Sequence, residues 1–208
     1  MQLNCDKLKY MVINFTDNQF NSRLSIKGKL LDQVTETRLL GVVISDDLSF
    51  NSNTDYIVKK AYKRMLMLHK LYDFNVPVHE MLDIYVSYIR SIVENSAVVW
   101  HSSLTVAEEV EIERIQKVAF RIILQDNYEH YARALYLTGL PTLKERRIEL
   151  CKTFAVKCTK SEKTQDMFPL NPSSVGTRHY EKYEVTQAFT SRLRDSAIPY
   201  MQRLLNTV

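Results

Sequence analysis

The hydrophobic period of this chain changes once, between residues 45 and 55, and that change limits the fold more than any other feature. Ahead of it stands Leu39-Leu40-Gly41-Val42-Val43-Ile44, a short apolar run rich in β-branched residues, which predicts a buried strand. Polar, turn-prone residues fill Ser45 to Asn53. From Asp55 to Tyr72 the pattern is helical: Ile57, Ala61, Met65, Leu68 and Tyr72 recur on one face. A chain that is strand-like before this junction and helix-like after it reads as α+β with helix dominant.

The rest of the sequence fits that division. Lys9 to Phe15 reads as a strand followed by turn residues, and Leu24 to Lys27 alternates apolar and polar before Gly28 and Leu30-Leu31. Short connections predict an antiparallel arrangement. So small a sheet needs a partner layer to bury its apolar face. Beyond Pro77 a second helix is expected from His79 to Glu94, with Leu82, Tyr85, Ile89 and Ile92 or Val93 inward. Thr105-x-x-Glu108 and Thr142-x-x-Glu145 are capping boxes. The first opens a helix to Leu124 with Val106, Val110, Ile115, Val118, Ala119 and Ile122 as its stripe, and the second a helix to about Thr159. Between them Tyr128 to Leu137 predicts a short helix stopped by Gly139. Ser161 to Arg178, with two prolines, reads as a surface loop, and the tail from Tyr180 to Asn206 as partial helix interrupted by Pro199.

Composition excludes several classes. The four glycines are isolated, so no Gly-rich phosphate cradle can form. Three cysteines without a C-x-x-C pair fit a reducing compartment. The first residues lack the apolar core of a signal peptide, and no run reaches the length of a membrane span. The expectation is a soluble intracellular protein of cytoplasm or nucleus, with no membrane partner and no small-molecule substrate.

Few constellations carry chemistry. Asp46-Asp47 follows an apolar run, as the metal-binding pair of a polymerase palm does, but two Mg²⁺ ions need a further carboxylate from another strand and none is evident. The pair reads as a solvated turn. His79-Glu80 would begin a zinc-protease helix, yet the second histidine position is Asp83. Cys151 and Cys158, two turns apart, read as small core residues. No metal ligand set and no cofactor of this chain are expected. Lys59, Lys63 and Lys70, with Lys60 beside them, project from the face of the first helix opposite its apolar stripe, and no acid lies between Val58 and Tyr72. Such a stripe is commonly an ordinary solvated face. With no acid interleaved among them, as a plain surface helix would have for i,i+4 pairing, it also suits a phosphate backbone. Arg147 falls inside the apolar stripe of its helix, between Cys151 and Phe154, and calls for a carboxylate or carbonyl partner or a reach past the core, for structural pairing first and nucleic-acid contact second; Arg146 points sideways. Trp100, the single tryptophan, reads as structural alongside it.

In this order the pieces resemble the C-terminal part of non-LTR (LINE-type) retrotransposon reverse transcriptases. Asn4-Cys5-Asp6-Lys7-Leu8-Lys9 is similar to polymerase motif D, with Leu8 in place of the usual Thr. Leu40-Gly41-Val42 through Leu48-Ser49-Phe50 is similar to the motif E primer-grip segment, with Phe50 where Trp is common. Ile57 to Ala61 and Tyr85 through Trp100 resemble the thumb. Glu113 to Ile123 and Leu140 to Arg147 resemble the helices beyond it, and Ser196 to Asn206 the tail of the family. The resemblance implies an end of palm over 1–52, thumb and post-thumb helices over 53–160, a linker over 161–179 and a tail over 180–208. It makes Lys7 the motif D general acid, places Gly41 at the primer end, and lays Lys59, Lys60, Lys63 and Lys70 along an RNA or RNA–DNA template–primer duplex, bound without sequence preference. The fingers, the rest of the palm and the Mg²⁺-binding carboxylates of such RNA-directed DNA polymerases are expected upstream, so this piece alone is expected to be inactive. The alternative is a domesticated, non-catalytic helical module that docks a protein partner.

Overall fold

The computed structural model describes residues 8–14, 23–172 and 182–207 and divides the chain into two units, 1–56 and 57–208. The fold is mostly helical, with small two-stranded sheets at the N-terminal side.

Among the described residues of the first unit, three strand pairs make up the sheets. β1 (Lys9–Tyr10) runs parallel to β4 (Asp32–Gln33), with Lys9 opposite Asp32. β2 (Ser25–Ile26) and β3 (Lys29–Leu30) are antiparallel about a Lys27-Gly28 turn, and β5 (Glu36–Leu39) and β6 (Val42–Ser45) about Leu40-Gly41. In both turns the two central residues have positive φ: 53° and 76° in the first, 50° and 92° in the second. That is the twist two-residue hairpins require, and glycine reaches it without strain. The structure therefore corrects two expectations. The arrangement is not wholly antiparallel. The apolar run Leu39–Ile44 is not one buried strand but a hairpin, with Leu40 90% exposed at its tip. Apolar character hid the turn, and only Gly41 signalled it. The strand expected over Lys9–Phe15 shortens to β1, and Phe15 lies outside the described residues.

α1 (Asn51–Asp73) begins earlier than its apolar stripe, anchored at its first turn by side chains. Asn53 Oδ1 accepts the Val43 amide at 3.1 Å, and Glu36 accepts the Ser52 hydroxyl. Ile57, Ala61, Met65 and Leu68 are buried as the period predicts, whereas Tyr72 is 46% exposed, beyond the end of the core. α2 (Val78–Ile84) continues through a wide π-helical turn, Tyr85–Arg90, into α3 (Ser91–Glu94), so the expected single helix contains a break in its hydrogen-bond ladder. Arg64 adapts to that break: its guanidinium donates to the Tyr88 carbonyl and lies 4.0 Å over the Tyr88 ring. After Ser96, at φ +52°, comes the short α4 (Ala97–Trp100), whose Trp100 is wholly buried and donates its indole N–H to Asn95 O at 3.1 Å.

Both capping boxes form, at α5 (Val106–Leu124) and α7 (Leu143–Thr159). α6 (Tyr131–Thr138) ends at Gly139, φ +66°, a left-handed stop. The stripe of α5 is rotated from the expected one. Val106 and Val110 are exposed, and the buried set is Ile112, Ile115, Gln116, Ala119, Phe120, Ile122, Ile123 and Leu124. Gln116 explains the shift. It sits in the core with every polar atom used, accepting Tyr85 Oη at 2.7 Å and donating to Tyr131 Oη at 3.0 Å and to Pro141 O at 2.9 Å. Apolar periodicity cannot see a glutamine used this way.

The region read as a loop supplies part of a core. Phe168, after a 3₁₀ turn at Gln165–Met167, packs with Cys151, Ala155 and Cys158 of α7 and with Met201 and Leu205 of α9 (Ala197–Leu205). Pro199 does not interrupt the tail helix. It is the third residue of α9, where the missing N–H has no intrahelical acceptor to lose. Two side-chain amides, Gln202 on α9 and Asn206 at its C-terminal cap, then hold an extended segment: Asn206 bonds both N and O of Tyr183 at 2.9 Å, and Gln202 accepts Thr186 N at 2.8 Å. α8 (Ser191–Arg194) precedes it.

Candidate nucleic-acid interface

The lysines of α1 project as the period requires. At about 100° per residue, Lys59, Lys63 and Lys70 fall within an arc of roughly 40° and span about 16 Å of helix. All three are exposed, on the side away from the buried Ile57, Ala61, Met65 and Leu68. Lys60 is half-buried and sits about a quarter-turn round the helix from Lys59. Acids bracket the stripe at its ends, Asp55 four residues before Lys59 and Asp73 three residues after Lys70, and none intervenes. The same exposed side carries Leu66, Met67 and Phe74, the last 79% exposed.

Gly41 lies in the first unit, at a hairpin tip rather than within a strand, and Lys7 lies outside the described residues. Asp46 and Asp47 occupy the turn after β6. The Asp46 amide donates to Thr35 O at 2.8 Å, and Asp47 Oδ1 accepts the Ser49 amide at 2.9 Å. Among the described residues no three His, Cys, Asp or Glu side chains gather where they could hold a metal ion. The Mg²⁺ pair of a polymerase palm therefore does not fit the residues described. No helix among the described residues is long and apolar enough to cross a membrane.

Arg147 is 1% exposed but has a different partner from those expected. Its Nε donates to His101 Nδ1 at 3.3 Å and its guanidinium carbon stands 6.0 Å from the Trp100 ring centre, while neither Nη has a hydrogen-bond partner among the described residues. Since arginine can only donate, His101 Nδ1 is the bare nitrogen. Nε2 then carries the proton and donates to Tyr200 Oη at 3.3 Å. Burial first, and then the Arg147 charge, push His101 down to about 4. The neighbour Arg146 does point sideways, onto Glu94 at 3.1 Å, a carboxylate it shares with Arg90 at 2.9 Å. The cluster ties α7, the turn after α4 and α9 together.

One group of cations goes unmarked in the sequence. Arg114, Lys117 and Arg121 share a face of α5 at a spacing of i, i+3 and i+7, which the apolar residues around them obscure as a charge pattern. No protein-family model, curated protein or solved structure matches the chain, so any functional reading rests on its motifs and on this geometry.

Proposed function

We propose that this chain is a thumb-like nucleic-acid-binding piece of reverse-transcriptase lineage, which holds an RNA or RNA–DNA duplex by its phosphates without sequence preference and without adding nucleotides. The observation that carries the reading is the exposed side of α1: three lysines within one narrow arc, opposite four buried apolar residues, with no acid between them. A backbone contact needs this and little more, since each neutralised phosphate releases condensed counterions. The motif resemblance from Asn4 to Asn206 supports the lineage. Binding is tested with a labelled RNA–DNA duplex at low salt. The wild type should bind, and Lys59→Glu with Lys63→Glu should weaken binding at least tenfold while the helical circular dichroism persists. Equal binding by the two proteins would refute the reading.

A second reading has its own observation. Leu66 and Met67 are exposed on the C-terminal half of α1 and Phe74 just beyond its end, as a surface that docks an apolar partner would be. On that account binding of the RNA–DNA duplex is absent or insensitive to salt, which separates the two.

A further inference from the structure

α5 segregates its charges along its length. Its first half carries Glu108, Glu109, Glu111 and Glu113, and its second half Arg114, Lys117 and Arg121. Most of the acids are used internally. Glu108 closes the capping box, and Glu109 pairs with Lys144 Nζ at 2.7 Å. Glu113 accepts the Leu143 and Lys144 amides at 3.1 and 3.2 Å, at the start of α7, together with the Tyr131 hydroxyl. The bases are not used in that way: none of Arg114, Lys117 and Arg121 has a carboxylate partner among the described residues. Lys117 stands four residues after Glu113, the spacing of a helical ion pair, yet Tyr131 takes the carboxylate with its hydroxyl and leaves its ring 5.1 Å beneath Lys117 Nζ. Arg121 lies likewise 5.5 Å over the Tyr128 ring.

Two ordinary explanations fall short. The helix dipole favours cations only in the last turn, which accounts for Arg121 and not for Arg114 or Lys117. A plain solvated face would interleave acids, because like charges at this spacing weaken a helix. Here the three cations lie within an arc of about 60° over roughly 10 Å of helix. Two of them rest on rings that limit their freedom before anything binds, which lowers the entropy lost on association.

We propose that Arg114, Lys117 and Arg121 form a second nucleic-acid contact that takes about three consecutive phosphates of one strand. The cations stand about 4.5 and 6 Å apart along the helix axis, wider than the phosphates of a strand at about 3.4 Å of axis, a difference that their long side chains can span. The upper faces of Tyr128 and Tyr131 are occupied by the cations and not open for base stacking, so the contact is made to backbone and is indifferent to sequence. It rests on α5 alone and not on the α1 lysines.

The test is binding of a labelled oligouridine strand to the full chain, followed against salt. Arg114→Gln with Arg121→Gln should bind roughly tenfold more weakly at about 50 mM salt, with a slope of log affinity on log salt shallower by about 1.4, near 0.7 for each phosphate no longer neutralised. Tyr128→Leu, which keeps all three charges, should bind a few-fold more weakly at unchanged slope. In Lys59→Gln with Lys63→Gln the oligouridine slope should stay at about −2 or steeper, a measurement that holds even if the arginine variant folds poorly. An unchanged slope in the arginine variant overturns the proposal, as does a lysine variant that no longer binds oligouridine. Competition by polyglutamate equal to that by oligouridine, charge for charge, would make the face an acidic-peptide site and overturn it as well.

Discussion

At the scale of single residues the informative group is His101. Arg147 fixes its tautomer from one side and Tyr200 receives its proton on the other, so the ring is held neutral between α7 and α9. Around it also stand Glu109, whose charge opposes the downward shift, and Lys144, whose charge adds to it. In the unfolded chain this imidazole takes up a proton near 6.5, in the folded protein only near 4. Between those values the unfolded state holds more protons. The contribution is therefore complete above about pH 6.5 and is lost as pH falls toward 4, reaching roughly 3 kcal/mol. Urea midpoints at pH 7 and near pH 4.5 should show this loss in the wild type and much less of it in His101→Gln, whose amide can still accept from Arg147 and donate to Tyr200. Equal losses in the two proteins would show that His101 does not titrate this way. Arg147 was legible as buried because its position interrupts an apolar stripe. Its partner was not, since the sequence separates it from His101 by 46 residues.

At the scale of elements the local signals carried furthest. Thr105 with Glu108, Thr142 with Glu145, and Gly139 each name a helix end from side-chain chemistry alone, and each helix ends where its signal stands. Where tertiary partners decide, the sequence was a poorer guide. Gln116 turns α5 by serving three polar partners, Leu40-Gly41 folds an apolar run back on itself, and Pro199 sits harmlessly in a first turn. The α7 start is the cleanest place to test local logic. Thr142 Oγ1 accepts the Glu145 amide at 3.1 Å. Glu145 Oε2 in turn accepts the Thr142 hydroxyl at 2.8 Å and the Thr142 amide at 3.0 Å, and these two bonds, the hydroxyl first, hold the Glu145 carboxyl below its ordinary range. Thr142→Ala should lower stability by about 1 kcal/mol and Thr142→Gly by only a few tenths, because glycine lets water reach the freed amide. Equal losses, read from urea unfolding, would mean that the cap is not what starts this helix.

At the scale of the whole molecule, the formal charge of +4 says little, and the arrangement of charge says more. Two helices gather cations on one side, α1 by spacing alone and α5 by spacing and supporting rings. The α1 stripe could be read from the sequence because three lysines recur without acids. The α5 face could not, because its tyrosines come from beyond the helix, at Tyr128 and Tyr131. Whether the α1 lysines track a phosphate backbone is decided by the salt dependence of RNA–DNA duplex binding. Three contacts predict a slope of log affinity on log salt of about −2.7 or steeper, and Lys59→Glu with Lys63→Glu should reduce its magnitude by about 1.8. A slope near zero, or the same slope in wild type and variant, would contradict it.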